Sequence, residues 1–260
     1  TGSTLQKTHA TAALRNLSGD VLNYDAFRSV SAIPMMLDFC KLGNAEQILN
    51  SVGFIRNLAM DEYNQATIIR LNAVPILVNI CKTMDDAEII EEAGAALGNL
   101  AANDLCVPYL ETSQAIDVMV NLLASSSVLQ RSVAIKGIRN MATSTTKLAH
   151  NPEAIRLLLE GMRNGEGDDK IHALLALEAI SKSEQSADTF GKMGCVEELY
   201  EILRPENKTA SEARASGFRI LKSLSSSPLC QAKIVSLGFL TIFVSTQFAG
   251  SLEQVMSIAH

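Results

Sequence analysis

The sequence predicts an all-α fold built as a solenoid, on three observations: a self-similar block recurs at a near-constant interval, the composition suits helices packed on helices, and each interval carries the signals of two or three short helices. The blocks are Ala13-Leu-Arg-Asn-Leu-Ser18, Phe54-Ile-Arg-Asn-Leu-Ala59, Ala96-Leu-Gly-Asn-Leu-Ala101 and Gly137-Ile-Arg-Asn-Met-Ala142, continued more weakly by Ala176-Leu-Glu-Ala-Ile-Ser181 and Ile220-Leu-Lys-Ser-Leu-Ser225. Their centres lie at 16, 57, 99, 140, 179 and 223, so the successive separations are 41, 42, 41, 39 and 44 residues. A period in this range means units of two or three helices that bury their apolar faces against the next unit, rather than the shorter units of other helical arrays.

A second pattern runs in step with the first and opens the helix before it: Ala32-Ile-Pro-Met-Met-Leu37, Ala73-Val-Pro-Ile-Leu-Val78, Ala115-Ile-Asp-Val-Met-Val120, Ala154-Ile-Arg-Leu-Leu-Leu159 and Cys195-Val-Glu-Glu-Leu-Tyr200. Pro34 and Pro75 fall in the first turn, where the backbone donor that proline lacks has no intrahelical partner anyway. Loop signals separate the two patterns at Leu42-Gly-Asn44, Asp85-Asp86, Ser125-Ser-Ser127, 164–169 and 205–208. Short helices over 65–70 and 186–191 complete a three-helix unit. The apolar stretch 234–248 is interrupted by polar residues and too short to span a bilayer, and it reads as a buried core helix. Nothing divides the chain by composition, so 1–260 reads as one solenoid of about five repeats with partial helices at its ends.

The charge balance sets bounds on partners. With 22 Lys+Arg against 28 Asp+Glu the net charge is −6, which disfavours nucleic acid. A hydrophobic share of 47% excludes disorder. Five scattered cysteines without a CxxC pair suit a reducing compartment, and Cys40 and Cys81, at one position of successive second helices, read as packing residues. The four histidines have no metal-ligand neighbour at helical spacing, the 161–170 stretch lacks P-loop spacing, and no nucleophile is paired with a base. Neither an enzyme, a metal nor a cofactor is expected. The chain opens on Thr1-Gly-Ser-Thr4 with no initiator Met or secretory signal, as a fragment would.

In register, Leu14, Ile55, Leu97, Ile138, Leu177 and Leu221 form one column of the repeated helix and Leu17, Leu58, Leu100, Met141, Ile180 and Leu224 another, three residues apart; both are core positions. Between them stand Asn16, Asn57, Asn99 and Asn140, a residue of poor helix propensity placed mid-helix four times.

These blocks resemble the armadillo repeat, whose marks are a small residue and Ile-Pro opening helix 2 and an Ala-Leu-x-Asn-Leu-Ala block ending helix 3. The resemblance covers nearly the whole chain, is strongest in the repeats ending near 60, 102 and 143, and implies a right-handed armadillo-like solenoid. It further implies that the third helices line a concave groove in which Asn16, Asn57, Asn99 and Asn140 hydrogen-bond the backbone of an extended peptide. The alternative is that each Asn bridges neighbouring repeats. Beside that column lie Arg15, Arg56, Arg139 and Lys222, and one turn before it Lys136 and Arg219, a largely basic row suited to an acidic partner segment or else paired within the protein. Importin-α-type carriers, similar in fold, place Trp where this chain has Ala12, Gly53, Ala95 and Lys136, so a basic cargo peptide is disfavoured. The acidic run 85–92 is explained by the start of a third helix.

The function expected is therefore a non-enzymatic protein–protein interaction scaffold. By size and overall character, rather than any motif, the chain is similar to the armadillo-repeats-only adaptors of apicomplexan parasites. That likeness implies a lipid-anchoring segment upstream, with no membrane insertion by these residues themselves, and a cytoplasmic location on the outer face of the rhoptry. The other readings are a regulatory or ligand-sensing domain of a larger protein and a transport receptor.

Overall fold

The computed structural model describes residues 2–165, 167–183, 186–204, 206–207 and 211–244. These residues are helical or in short connections, with no strand among them. They form two compact units, Thr1–Thr145 and Thr146–His260.

The first unit opens with α1 (Thr4–Leu17), followed by three repeats: α2 (Tyr24–Ser29), α3 (Ala32–Leu42) and α4 (Ala45–Leu58); α5 (Glu62–Arg70), α6 (Ala73–Thr83) and α7 (Ala87–Leu100); α8 (Val107–Thr112), α9 (Ala115–Leu123) and α10 (Val128–Met141). The third helices stack as a layer, α1 on α4, α4 on α7 and α7 on α10. Each begins on a side chain that accepts from the first free backbone donors: Ser3, Asn44, Asp86 and Ser127, the first two completed by Gln6 and Gln47 as reciprocal capping boxes. First helices bond the carboxyl ends of α4 and α7: Tyr24 Oη of α2 donates to the Asn57 carbonyl at 2.9 Å, and Gln65 Nε2 of α5 to the carbonyls of Ala59 (2.8 Å) and Asn99 (3.2 Å).

A left-handed residue precedes each second helix: Ser31, Asn72 and Gln114, with φ of 54°, 56° and 62°. At the equivalent point of the second unit the chain uses Gly194, φ 82°, where the missing Cβ removes the strain. The tightest contact between layers is that of α7 with α10, where a Cβ on Gly98 would lie 3.2 Å from the Gly137 Cα.

The second unit contains α11 (Pro152–Asn164) and α12 (Asp169–Ser181), then α13 (Ala187–Lys192), α14 (Cys195–Leu203) and α15 (Ser211–Leu224), then α16 (Pro228–Ser236). The first helix of its leading repeat is reduced to a 3-10 turn, Lys147–His150. Here α12 packs on α11 and α15.

Both predicted core columns are buried from α4 onward, from Ile55 and Leu58 to Leu221 and Leu224. The opening helix departs from this: Leu17 is 53% exposed and Leu14 half-buried, because α1 packs chiefly on α4 and turns its other side outward. The stretch 234–248 is not one helix. It straddles the end of α16 and a turn at Leu237–Gly238, with Gly238 at φ 84°, before helical residues 239–244; residues 245–248 lie outside the described residues. Among the described residues no single helix is long and apolar enough to cross a membrane.

Candidate functional site

The repeated Asn sits near the carboxyl end of each third helix, and three of the four make the same bond. Asn140 Nδ2 donates to the Gly98 carbonyl at 3.0 Å and Asn99 Nδ2 to the Arg56 carbonyl at 3.0 Å. Asn57 Nδ2 donates to Ser18 Oγ at 2.9 Å and reaches the Arg15 carbonyl at 3.5 Å. Each carboxamide is thus tied to the residue just before the preceding Asn. Such bonds satisfy carbonyls that a helix end leaves without intrahelical donors, and they fix the side chain's orientation. Bridging between repeats, one of the two readings of the Asn column, is part of this geometry. It does not exhaust the amide. Asn57 Oδ1 accepts from Arg56 Nη2 at 2.8 Å, whereas the Asn99 and Asn140 oxygens accept no bond from the described residues, and both residues are half-exposed. Asn16, on the first helix, is exposed.

The basic row is less free than the sequence suggests. Arg15 Nη2 donates to Glu92 Oε1 at 2.7 Å, and Arg56 Nη1 lies 3.0 Å from Glu92 Oε2, so that guanidiniums from α1 and α4 converge on one carboxylate of α7. The Glu92 side chain is 9% exposed; those of Arg15 and Arg56 are 23% and 37% exposed. Oε2 gains attraction from Arg56 but no well-aligned hydrogen bond. Arg15 can lie flat because α4 has Gly53 beneath it: a Cβ there would be 2.5 Å from Arg15 Nε. The acidic run 85–92 therefore divides by role. Asp86 caps α7, accepting from the Glu88 and Ile89 backbone at 2.9 and 3.2 Å, as a helix start requires, while Glu92 neutralises one of two arginines. Lys136 and Arg139 are exposed on α10.

Arg219 and Lys222 belong to the second unit. Arg219 is bidentate to Glu178, Nε to Oε1 at 2.7 Å and Nη2 to Oε2 at 3.0 Å; Lys222 is exposed. Burial raises the Glu178 carboxyl, but hydrogen bonds from Arg219 and Ser216 and the charges of Arg219 and Lys182 outweigh it, leaving its pKa below the ordinary value. A depressed folded-state pKa contributes stability above the unfolded value of about 4.3, and that contribution is lost as pH falls through the folded value. Arg219→Ala is accordingly expected to destabilise the protein at pH 7 and to lose this effect as the medium is acidified. Denaturant midpoints of both proteins from pH 7 to pH 3 check it; a pH-independent difference would contradict it.

Sequence reasoning missed Ser18, Glu92 and Glu178 as partners within this layer. Glu92 and Glu178 lie 36 and 41 residues from Arg56 and Arg219, about one repeat away, and a search for opposite charges at the repeat period would have found them. Burial pushes the Cys40 and Cys81 thiols up to about 12, so neither is a thiolate near neutral pH. Among the described residues no three His, Cys, Asp or Glu side chains converge as a metal site.

Residues 61–102, the whole of the repeat α5–α7, match the family model of the armadillo/β-catenin-like repeat. Those residues are an armadillo repeat. Most of the chain shares the fold of solved armadillo solenoids. The designed armadillo repeat protein YIII(Dq)4CqI is 20% identical, with a TM-score of 0.75 over 84% of this chain and 92% of that one. A set of computationally designed armadillo repeat proteins for modular peptide recognition is similar at 19% identity and TM-score 0.75, over 85% and 98% of the two chains. The designed protein YIII(Dq.V1)4CPAF, solved in complex with peptide (KR)4, matches at 18% identity and TM-score 0.72, over 84% and 91%. No curated protein sequence matches the chain. The described residues thus have an all-α, armadillo-like solenoid fold, with repeats in the order that the 41-residue period implies.

Proposed function

We propose that this chain is a non-enzymatic protein–protein interaction scaffold that holds an extended, acidic partner segment along the third-helix layer of its first unit. The observation that carries the reading is the state of Asn99 and Asn140: each is oriented by one bond to the preceding helix, while its carboxamide oxygen is left to accept from a backbone N–H of a partner. Repetition of an oriented amide at one position of stacked helices suits an extended chain, whose own donors repeat regularly. Designed armadillo proteins with this fold are described as made for modular peptide recognition, which supports the use of the fold. The acidic character of the partner rests on Lys136 and Arg139 at the surface of α10, and on the guanidiniums of Arg15 and Arg56, which stay partly exposed although Glu92 lies between them and Glu88 stands 3.8 Å from Arg15.

The test is binding of an extended acidic peptide, and of lysate proteins, to the wild type beside Asn57→Ala/Asn99→Ala/Asn140→Ala. Each substitution removes a bond between helices worth about 1 kcal/mol, so the variant should melt earlier yet keep its helicity, and binding must be read well below its transition. Affinity is expected to fall about tenfold or more. An unchanged dissociation constant in a folded triple variant would remove the third-helix layer as the docking face.

A further inference from the structure

We propose that a second docking strip runs along the edge of the first unit where each third helix gives way to the next repeat's first helix, and that it takes an extended basic polypeptide segment with an apolar side chain at every third residue. Leu22, Tyr63 and Leu105 define it. Each stands six residues after a central Asn and nine before a left-handed residue, Ser31, Asn72 or Gln114, so the three occupy one point of the repeat counted from either side. They are 84%, 67% and 80% exposed, and Met60 and Tyr109 add further exposed apolar surface nearby. A single exposed leucine is ordinary on a folded protein, but large apolar side chains left in water at one register in three successive repeats form a strip.

Spacing and charge specify what covers it. Packed helices lie about 8–10 Å apart and an extended chain advances about 3.3 Å per residue, so anchors one repeat apart correspond to every third residue of the partner. Segments 18–31, 60–72 and 102–114, which form this edge, carry Asp20, Asp25, Asp61, Glu62, Asp104 and Glu111 against two arginines, Arg28 and Arg70. Arg28 is itself committed. It pairs with Asp25 and with Asp61, the latter at 3.1 Å, and lies 5.7 Å over the Tyr63 ring, which holds that ring in place. Asp20 and Asp61 also cap backbone donors of Leu22 and Asn64, which keeps their negative charge at the edge. An apolar strip flanked by carboxylates favours Lys and Arg between the anchors and repels nucleic acid or an anionic lipid surface. The strip uses none of the residues of the third-helix face, so its partner is a different one, of opposite charge.

The experiment uses the full 260-residue chain and a fluorescein-labelled synthetic peptide with Leu at every third position and Lys or Arg between, read by fluorescence anisotropy. A control peptide carries Glu in place of the basic residues. Saturable binding of the basic peptide is expected, weakened about tenfold or more in Tyr63→Ser/Leu105→Ser and little changed in the Asn57/Asn99/Asn140 triple variant. Both serines replace exposed side chains, and an unaltered melting curve confirms the fold. The proposal is overturned by the absence of saturable binding, by equal affinity for the edge variant, by equal affinity for the Glu peptide, or by loss in the Asn variant alone. It is also overturned if sedimentation shows the wild type dimerising through the strip and the edge variant monomeric, because a second copy would then be the occupant.

Discussion

Phe54→Ala is expected to cost about 3–5 kcal/mol of folding stability, although it converts Phe54 into a residue common at its register. Three positions before the central column the chain reads Ala13, Phe54, Ala96, Gly137, Ala176 and Ile220, so a repeat consensus would count alanine at 54 as an improvement. The structure argues the reverse. Phe54 is fully buried, and its ring meets that of Phe27, from α2, edge to face with centroids 5.0 Å apart. Phe27 is itself 5% exposed, so truncation at 54 leaves a cavity walled by an aromatic ring that has lost its partner. At Gly137, the same register of α10, a Cβ would lie 2.9 Å from Met119 Sδ and 3.4 Å from the Gly98 Cα, so there neighbouring atoms already occupy the space a larger side chain would need. Denaturant unfolding of wild type, Phe54→Ala, Phe27→Ala and the double variant measures both the loss and the coupling, the latter expected near 1 kcal/mol. A loss below about 1 kcal/mol would mean that the layers close over the cavity.

How far the sequence could be read follows from the same distinction between what repeats and what does not. The period and the two apolar columns placed the third helices because a solenoid imposes one environment on one register in every unit; the buried series from Ile55 to Leu221 is that constraint made visible. Two stretches escape it: Leu17 carries the core pattern but is exposed, and 234–248 carries an apolar pattern that a left-handed Gly238 divides. The Asn column was legible as a position but not as a bond, since its acceptors are carbonyls of Arg15, Arg56 and Gly98 and carbonyls carry no sequence signal. Likewise the basic row was legible as composition. Its partial neutralisation was not, because Glu92 and Glu178 lie on neighbouring layers and only the stacking brings them within reach.

Glu92→Gln should act on stability and on binding in opposite directions. In the wild type, one carboxylate, 9% exposed, sits between Arg15 and Arg56, and the amide keeps its shape while removing the charge. Breaking a fully buried ion pair costs about 3–5 kcal/mol; here the guanidiniums are partly solvated, at 23% and 37% exposure, so the loss should be nearer 2 kcal/mol. The substitution also leaves two adjacent guanidiniums at the third-helix layer with only the exposed Glu88, 3.8 Å from Arg15, against them. If an acidic segment docks there, the variant should bind the acidic peptide more tightly than wild type, with a steeper weakening as salt is added, because screening acts on the charge just exposed. A general loss of folding would weaken binding instead, so the sign of the change separates the two causes. Arg56→Gln supplies the converse: it removes one guanidinium, leaves Arg15 with both Glu92 and Glu88, and should weaken the acidic peptide at little cost in stability. Unchanged affinity in both variants would place the partner's charges away from Arg15 and Arg56. The acidic specificity would then rest on Lys136 and Arg139 alone, whereas opposite shifts would locate it where α1, α4 and α7 meet.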